Sequence, residues 1–193
     1  YHKAFRGPGN WRESVALLGA GAIGRKVIEL LQPFHSSILV FDPFLSDEAA
    51  VDLGVEKVTL EEAFARAFVV SNHLADVLET VGLLNRALFE RLRSYAVFIN
   101  TGRGCTVEEA GLQHVLAARP DLTALLDVTH PEPPVEGSPF YSLPNVSLTT
   151  HLAGSVNDET VRMADYCLEE FFAWVAGRPL RYAVKREMLA TIA

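Results

Sequence analysis

The chain has 193 residues, 49% of them hydrophobic, and a formal net charge of -7. That is enough apolar material for a full-sized core, and the acidic balance excludes a general nucleic-acid surface or an anionic membrane surface, both of which need basic patches. No apolar run approaches the roughly 18 residues that span a bilayer, no secretory pattern opens the chain, and Cys105 and Cys167 lack CxxC or metal-ligand spacing, so a reduced, cytoplasmic protein without a metal is expected.

Residues 1–12 are polar and interrupted by Gly7, Pro8 and Gly9, which predicts an irregular lead-in. The apolar run 15–19 predicts a strand, 22–31 a helix stopped near Pro33, and 37–41 a second strand ending at Asp42-Pro43. A short helix over 47–53 and a short strand over 55–58 follow, then helical spacing over 60–67 and a buried strand over 68–71. Helices are expected over 85–92 and 107–118, and strands over 96–100, 122–128 and 146–149. This alternation predicts an α/β fold, a doubly wound parallel sheet covered on both faces. The stretch 131–144 holds five prolines and no periodic pattern, so a loop across the strand ends is expected. Ser155-Val156-Asn157-Asp158 has the spacing of a capping box and predicts a long helix over 156–176, closed by Gly177 and Pro179. Its apolar stripe runs through Val161, Ala164, Cys167, Leu168, Phe171, Phe172 and Val175.

Gly19-Ala20-Gly21-Ala22-Ile23-Gly24 lies between the first strand and the first helix, the context in which such a pattern binds a dinucleotide. Gly19 permits the tight turn, Gly21 leaves room for a pyrophosphate, and Gly24 lets the helix pack close to the sheet. The helix N-terminus, with Ala22 and Ile23, offers N–H groups to phosphate oxygens. Asp42 closes the second strand at the offset where a carboxylate binds both hydroxyls of a ribose. A carboxylate there repels the extra phosphate of NADP, so NAD is the expected cofactor. A methyltransferase would share the turn and the acidic second strand, but leaves the polar residues downstream unexplained.

Those residues are Arg103 in Asn100-Thr101-Gly102-Arg103-Gly104, Glu132 before Pro133, and His151 after the last strand. Singly, they read as a surface arginine, a solvated loop charge and a structural histidine. Together, each just past a separate strand, they fall on the edge where such a sheet binds ligands. Gly102 and Gly104 favour a bent, exposed backbone around Arg103, whose guanidinium fork suits a carboxylate. A carboxylate bonded to an imidazole fixes its tautomer and favours the charged form. The imidazolium can then protonate a carbonyl oxygen while a hydride reaches its carbon.

On these motifs the chain resembles the D-isomer-specific 2-hydroxyacid dehydrogenases over residues 11–184. The Arg103 segment is similar to the family's arginine motif. Asp127-Val128-Thr129-His130-Pro131-Glu132-Pro133 resembles its Asp-plus-five-Glu motif, and Asn145 to Ser155 its histidine motif. Glu79-Thr80-Val81-Gly82-Leu83-Leu84-Asn85 resembles the segment before the arginine strand. The resemblance implies a Rossmann fold and NAD held by Gly19, Gly21, Ala22, Ile23, Gly24, Asp42 and Thr101. It assigns substrate binding to Arg103, acid–base work to His151 and support of that histidine to Glu132. It also assigns Asp127 to the nicotinamide end of the cofactor, although the same carboxylate suits a cap on the strand end. A homodimer with the lead-in around Trp11 in its interface is implied, with a small-molecule substrate and no nucleic-acid or membrane partner.

Three departures stand out. Thr150 occupies the place of the proline that usually precedes the catalytic histidine, which loosens the approach to His151. Leu74-Ala75-Asp76 replaces a proline-rich turn, and Glu108-Glu109 stands where Asp-Glu is commoner. Glu132 itself points away from the family's formate dehydrogenases, which carry glutamine there.

Family members build a substrate domain mostly from a long segment before the glycine turn, and here fourteen residues precede the predicted first strand. The chain therefore reads as an NAD-binding domain over 1–154 and, over 155–193, the helix and tail that in the family return to a substrate domain. Most of that substrate domain is absent from it. The expected function is NAD-dependent interconversion of a 2-oxo acid and a D-2-hydroxy acid, with this chain as the cofactor-binding portion. The competing expectation is a dinucleotide-responsive scaffold, like the family's C-terminal-binding-protein corepressors, or a catalytically silent fragment.

Overall fold

The computed structural model describes residue 9, residues 11–186 and residue 188. Its seven strands are β1 (Ser14–Leu18), β2 (Ser37–Phe41), β3 (Glu56–Lys57), β4 (Val69–Asn72), β5 (Val97–Asn100), β6 (Thr123–Leu126) and β7 (Val146–Leu148). They form one sheet in the order β3-β2-β1-β4-β5-β6-β7, with every pairing parallel. Strands of this kind are covered on both faces, which is why β1 and β2 read as unbroken apolar runs. Ala16, Leu17, Leu18 and Val40 are fully buried. Of the lead-in expected over 1–12, only Gly9, Trp11 and Arg12 fall within the described residues.

Helices α1 (Ala22–Leu31) and α2 (Asp47–Asp52) bury Ile28 and Ala50 against Leu17 and Val40 on one face. The other face carries α3 (Leu60–Arg66), α4 (Arg86–Phe89) and α5 (Glu109–Ala118). Its centre is an aromatic cluster of Phe64, Phe89 and Phe98, with ring centroids 5.0 to 6.4 Å apart. Each such ring pair adds about 1 kcal/mol to the burial itself. The chain winds outward from β1 to β3, then returns to place β4 on the other side of β1. The C-terminal end of β1 is therefore the topological switch point, where the crevice of such sheets opens. Asn72, Asn100, Leu126 and Leu148 stand in register at the ends of β4 to β7, so the loops leaving these strands share one edge.

Several local expectations differ from the structure. The third strand is two residues long, and helix α4 is a single turn. A capping box forms at Thr59, where Thr59 Oγ1 accepts from Glu62 N at 3.2 Å and Glu62 Oε2 accepts from Thr59 N at 2.8 Å. The one expected at Ser155 does not form. Asn157 sits at a φ of +51°, which breaks the chain between the two partners, and helix α6 (Glu159–Val175) starts after Asp158 without a side-chain cap. Val161, Leu168, Phe171, Phe172 and Val175 of its stripe are exposed, and Ala173 is its buried residue. The segment after α6 folds back on it: Arg178 N donates to Ala173 O at 2.9 Å, and the Glu170 carboxylate accepts from Arg181 N and Tyr182 N, each at 3.1 Å.

Candidate functional site

The glycine turn joins β1 to α1. Gly19 has a φ of +98°, a left-handed conformation that disfavours any side chain, and an added Cβ would lie 2.6 Å from His73 O. A Cβ on Gly24 would lie 2.1 Å from Gly19 O, so α1 touches the turn backbone to backbone. Gly21 differs: nothing stands within 4 Å of where its Cβ would be. It is also the N-cap of α1, without a side-chain capping bond, and the first helical turn has no acidic residue. The N–H groups of Ala22 and Ile23 thus open this helix beside unfilled space, the arrangement that receives a phosphate.

Asp42 ties the turn to the end of β2. Its Oδ2 accepts from Ala20 N at 2.6 Å and its Oδ1 from Phe44 N at 2.7 Å. Each oxygen keeps a second lone pair, enough to accept from two ribose hydroxyls. Beside it lies a cleft of about 770 Å³ lined by Phe41, Pro43, Phe44, Leu74, Val77 and Leu83, among others. The open Gly21, the uncapped helix, the ribose-height carboxylate and this apolar slot fit a dinucleotide. His73, unremarked in the sequence, packs beneath the turn with its Nε2 3.0 Å from Ser71 Oγ, and burial holds its imidazole below the ordinary histidine range.

Arg103 follows β5 and is exposed; its Nη1 donates to Gly102 O at 2.9 Å. The flanking glycines work differently from expectation. Neither has a left-handed φ; each lets the loop approach another backbone. A Cβ on Gly102 would stand 3.0 Å from Asn72 O, and one on Gly104 only 2.1 Å from Thr129 O. Gly104 thereby seats the Arg103 loop on the loop that carries Glu132. Thr101, between Asn100 and Gly102, is half-buried in the same loop.

His151 and Glu132 meet directly, with Nδ1 2.8 Å from Oε1 and side chains 44% and 43% exposed. That contact leaves Nε2 as the ring nitrogen facing away from the carboxylate, beside Gly154, whose added Cβ would lie 4.0 Å from it. The backbone of His151 is left-handed, with a φ of +59°. Asp127 holds it there. His151 N donates to Asp127 O at 3.1 Å, while the Asp127 carboxylate accepts from Thr149 Oγ1, from Leu152 N at 2.7 Å and from Ala153 N at 2.8 Å. Burial raises the Asp127 pKa, but these bonds and the nearby charge of His151 outweigh it and leave the carboxyl below the usual aspartate range. With three bonds already accepted, Asp127 acts as the cap on the histidine loop.

The Glu132 loop has its own clamp. Glu109 Oε1 accepts from His130 N at 2.6 Å, and burial pushes the Glu109 carboxyl above its ordinary range against that bond. The peptide bonds His130–Pro131 and Glu132–Pro133 are cis. The structure thus joins Glu132, His151 and Asp127 through bonds, and places Arg103 on the adjoining loop by way of Gly104. Sequence reasoning missed Glu109 as a loop clamp and Asn72 and Thr106 as supports of the Arg103 loop. The acidic residue at 109 was visible, but only the fold brings it to residue 130. Among the described residues no helix is long and apolar enough to cross a membrane, and no group of three or more histidine, cysteine or acidic side chains could hold a metal.

Comparison with known proteins agrees with this geometry. Residues 1–153 match the family described as D-isomer specific 2-hydroxyacid dehydrogenase, NAD binding domain. The chain is 34% identical over 171 residues to a putative 2-hydroxyacid dehydrogenase, YoaD, of Bacillus subtilis, covering 86% of this chain and 49% of that protein. It is 30% identical over 172 residues to a D-3-phosphoglycerate dehydrogenase of Archaeoglobus fulgidus, covering 89% and 33% respectively. The crystal structure of apo D-mandelate dehydrogenase from Rhodotorula graminis superposes with a TM-score of 0.79 at 26% identity, over 92% of this chain and 53% of that one. The chain thus spans a third to a half of the length of these relatives.

Proposed function

Because the chain belongs to the D-isomer-specific 2-hydroxyacid dehydrogenase family and carries its NAD-binding domain, we propose that it is the cofactor-binding and acid–base portion of an enzyme that interconverts a 2-oxo acid and a D-2-hydroxy acid. NAD, when bound, supplies or takes up the hydride at the substrate carbon. The chain's own residues do the rest. Residues 19–24 and Asp42 bind the dinucleotide and favour NAD over NADP, with Thr101 and Asp127 near its nicotinamide end. Arg103 swings from Gly102 O to hold the substrate carboxylate as a bidentate fork. His151, its Nδ1 bonded to Glu132, donates a proton from Nε2 to the carbonyl oxygen during reduction and takes it back during oxidation.

The observation that carries this reading is the 2.8 Å bond between His151 Nδ1 and Glu132 Oε1 at the strand-end edge. An anion on Nδ1 fixes the tautomer so that Nε2 serves the substrate. The division at residue 154, a homodimer with the 68% exposed Trp11 in its interface, and a cytoplasmic location belong to the same proposal. The test is NADH consumption by the enzyme with its substrate domain in place, using a panel of 2-oxo acids that give chiral products (pyruvate, hydroxypyruvate, phenylpyruvate), followed by chiral analysis of the product. The expected product has the D configuration. No consumption with any of them, or an L product, would overturn the reading.

A further inference from the structure

The Arg103 loop stands on a buried polar network that has no part in the chemistry proposed above. Asn72, at the end of β4, and Thr106 are fully buried, and Asn100, at the end of β5, is 1% exposed. Asn72 Nδ2 donates to Asn100 Oδ1 and to Thr106 Oγ1, both at 2.9 Å. Those two partners then bond the arginine's own backbone. Thr106 Oγ1 donates to Arg103 O at 2.8 Å, and Asn100 Nδ2 donates to the same carbonyl at 3.1 Å. Asn100 Oδ1 also accepts from Gly102 N at 3.1 Å. The remaining end of the Asn72 amide is anchored in its own strand's loop, where Oδ1 accepts from Leu74 N at 3.2 Å.

The direction of these bonds is determined. Thr106 spends its one proton on Arg103 O, so it can only accept from Asn72, and Asn100 Oδ1 can only accept. One amide donor group therefore orients both side chains that bracket Arg103, one bond before it and two at it. An apolar residue at position 72 would still satisfy the strand ladder of β4. It would leave Asn100 Oδ1 with the Gly102 bond alone and Thr106 Oγ1 with no donor to accept from, so the two supports of the Arg103 loop lose their common anchor in a site where water does not replace a lost partner; Leu74 N would also lose its acceptor.

We infer that Asn72 is a positioning residue for Arg103: by orienting Asn100 and Thr106 it fixes the main chain from which the guanidinium reaches a substrate carboxylate. The inference rests on the reading of Arg103 as the carboxylate-binding group. Its test is titration of the enzyme with its substrate domain in place, saturated with NADH, with oxamate as an unreactive 2-oxo acid analogue, alongside separate titration with NADH. Asn72→Leu is expected to weaken oxamate about tenfold while leaving NADH affinity within about twofold, the scale of one lost bond in a buried network. Thr106→Val, which keeps the side-chain shape, carries the same expectation should Asn72→Leu not fold, and Thr106→Ser, which keeps the hydroxyl, restores oxamate affinity. Arg103→Lys separates the two levels of the argument. If it leaves oxamate affinity unchanged, or if the unaltered enzyme with its substrate domain binds no oxamate, the substrate reading of Arg103 fails and the inference with it. If Arg103→Lys weakens oxamate but Asn72→Leu and Thr106→Val do not, or if they weaken NADH equally, the positioning role of Asn72 alone is overturned.

Discussion

The two ends of the strand edge are built from different material. At β1 and β2 the site is made mostly of backbone: Gly24 against Gly19, an uncapped helix turn at Gly21, and one carboxylate, Asp42, bonded to two N–H groups. At β5 to β7 it is made of side chains that reach across the sequence, from Glu109 to His130, from Glu132 to His151 and from Asp127 to residues 149–153. The first end is a packing problem solved within one strand-turn-helix unit. The second is an assembly that exists only when β5, β6 and β7 stand in register. Changes at the first end should therefore trade stability against cofactor binding. Changes at the second should spare the cofactor and remove chemistry or anchorage.

The sharpest way to break this contrast lies within the glycine turn itself. Gly24→Ala forces a Cβ to 2.1 Å from a carbonyl oxygen, so α1 must lift from the turn. The expected cost is about 3 kcal/mol, at the upper end for overpacking, measured by denaturant unfolding. Gly21→Ala, three residues earlier, meets open space and should change stability by no more than about 0.5 kcal/mol. Its effect should appear in NADH titration instead, because the added methyl occupies the phosphate position. Equal stability losses in the two variants would refute the steric distinction between them.

At the other end, Glu132→Gln keeps a hydrogen-bond acceptor for Nδ1 but removes the anion. Reduction of a 2-oxo acid should fall about a hundredfold with NADH affinity unchanged, as expected when a general acid loses its support. Reduction consumes a proton, so by mass action it should become less favourable as the pH rises. Oxidation of the hydroxy acid should take the opposite course. Steady-state rates in both directions across pH check both statements.

Asp127→Asn probes anchorage alone and should be the smallest effect, about 2 kcal/mol near neutral pH, the range for hydrogen bonds to a charged group. The folded-state pKa of Asp127 is lowered, so its ionised form stabilises the fold at any pH above the ordinary aspartate range. As the pH falls below about 4, the unfolded chain takes up that proton first and the contribution is lost. The stability gap between Asp127→Asn and the unaltered protein should therefore close in acid. A gap that stays constant down to the depressed value would show that the carboxylate charge is not what holds the histidine loop.

The same contrast explains what could be read in advance. The β1-turn-α1 unit was legible because glycine spacing, apolar run and helix start are all local signals. Arg103, Glu132 and His151 were legible because each follows a strand that announces itself. Asn72 and Thr106 carried no such mark: a polar residue at a strand end reads as solvent-facing until register sets Asn72 beside Asn100. Glu109 was seen only as half of an acidic pair, since nothing local points it at residue 130. The glycines around Arg103 suggest chain bending from their sequence alone, whereas in the fold they make room for the Asn72 and Thr129 backbones. The capping boxes show how weak a four-residue pattern is by itself. Thr59 and Glu62 cap α3, while Ser155 and Asp158 are separated by a left-handed Asn157.

The most direct test of the divided edge is a single substitution, His151→Asn, with NADH affinity and the rate of 2-oxo acid reduction measured on the same preparation. Unchanged NADH affinity with reduction lowered about a hundredfold or more is the expected result, because the fold and the β1–β2 end are untouched while the proton donor is gone. Undiminished reduction would contradict the assignment of His151 as that donor.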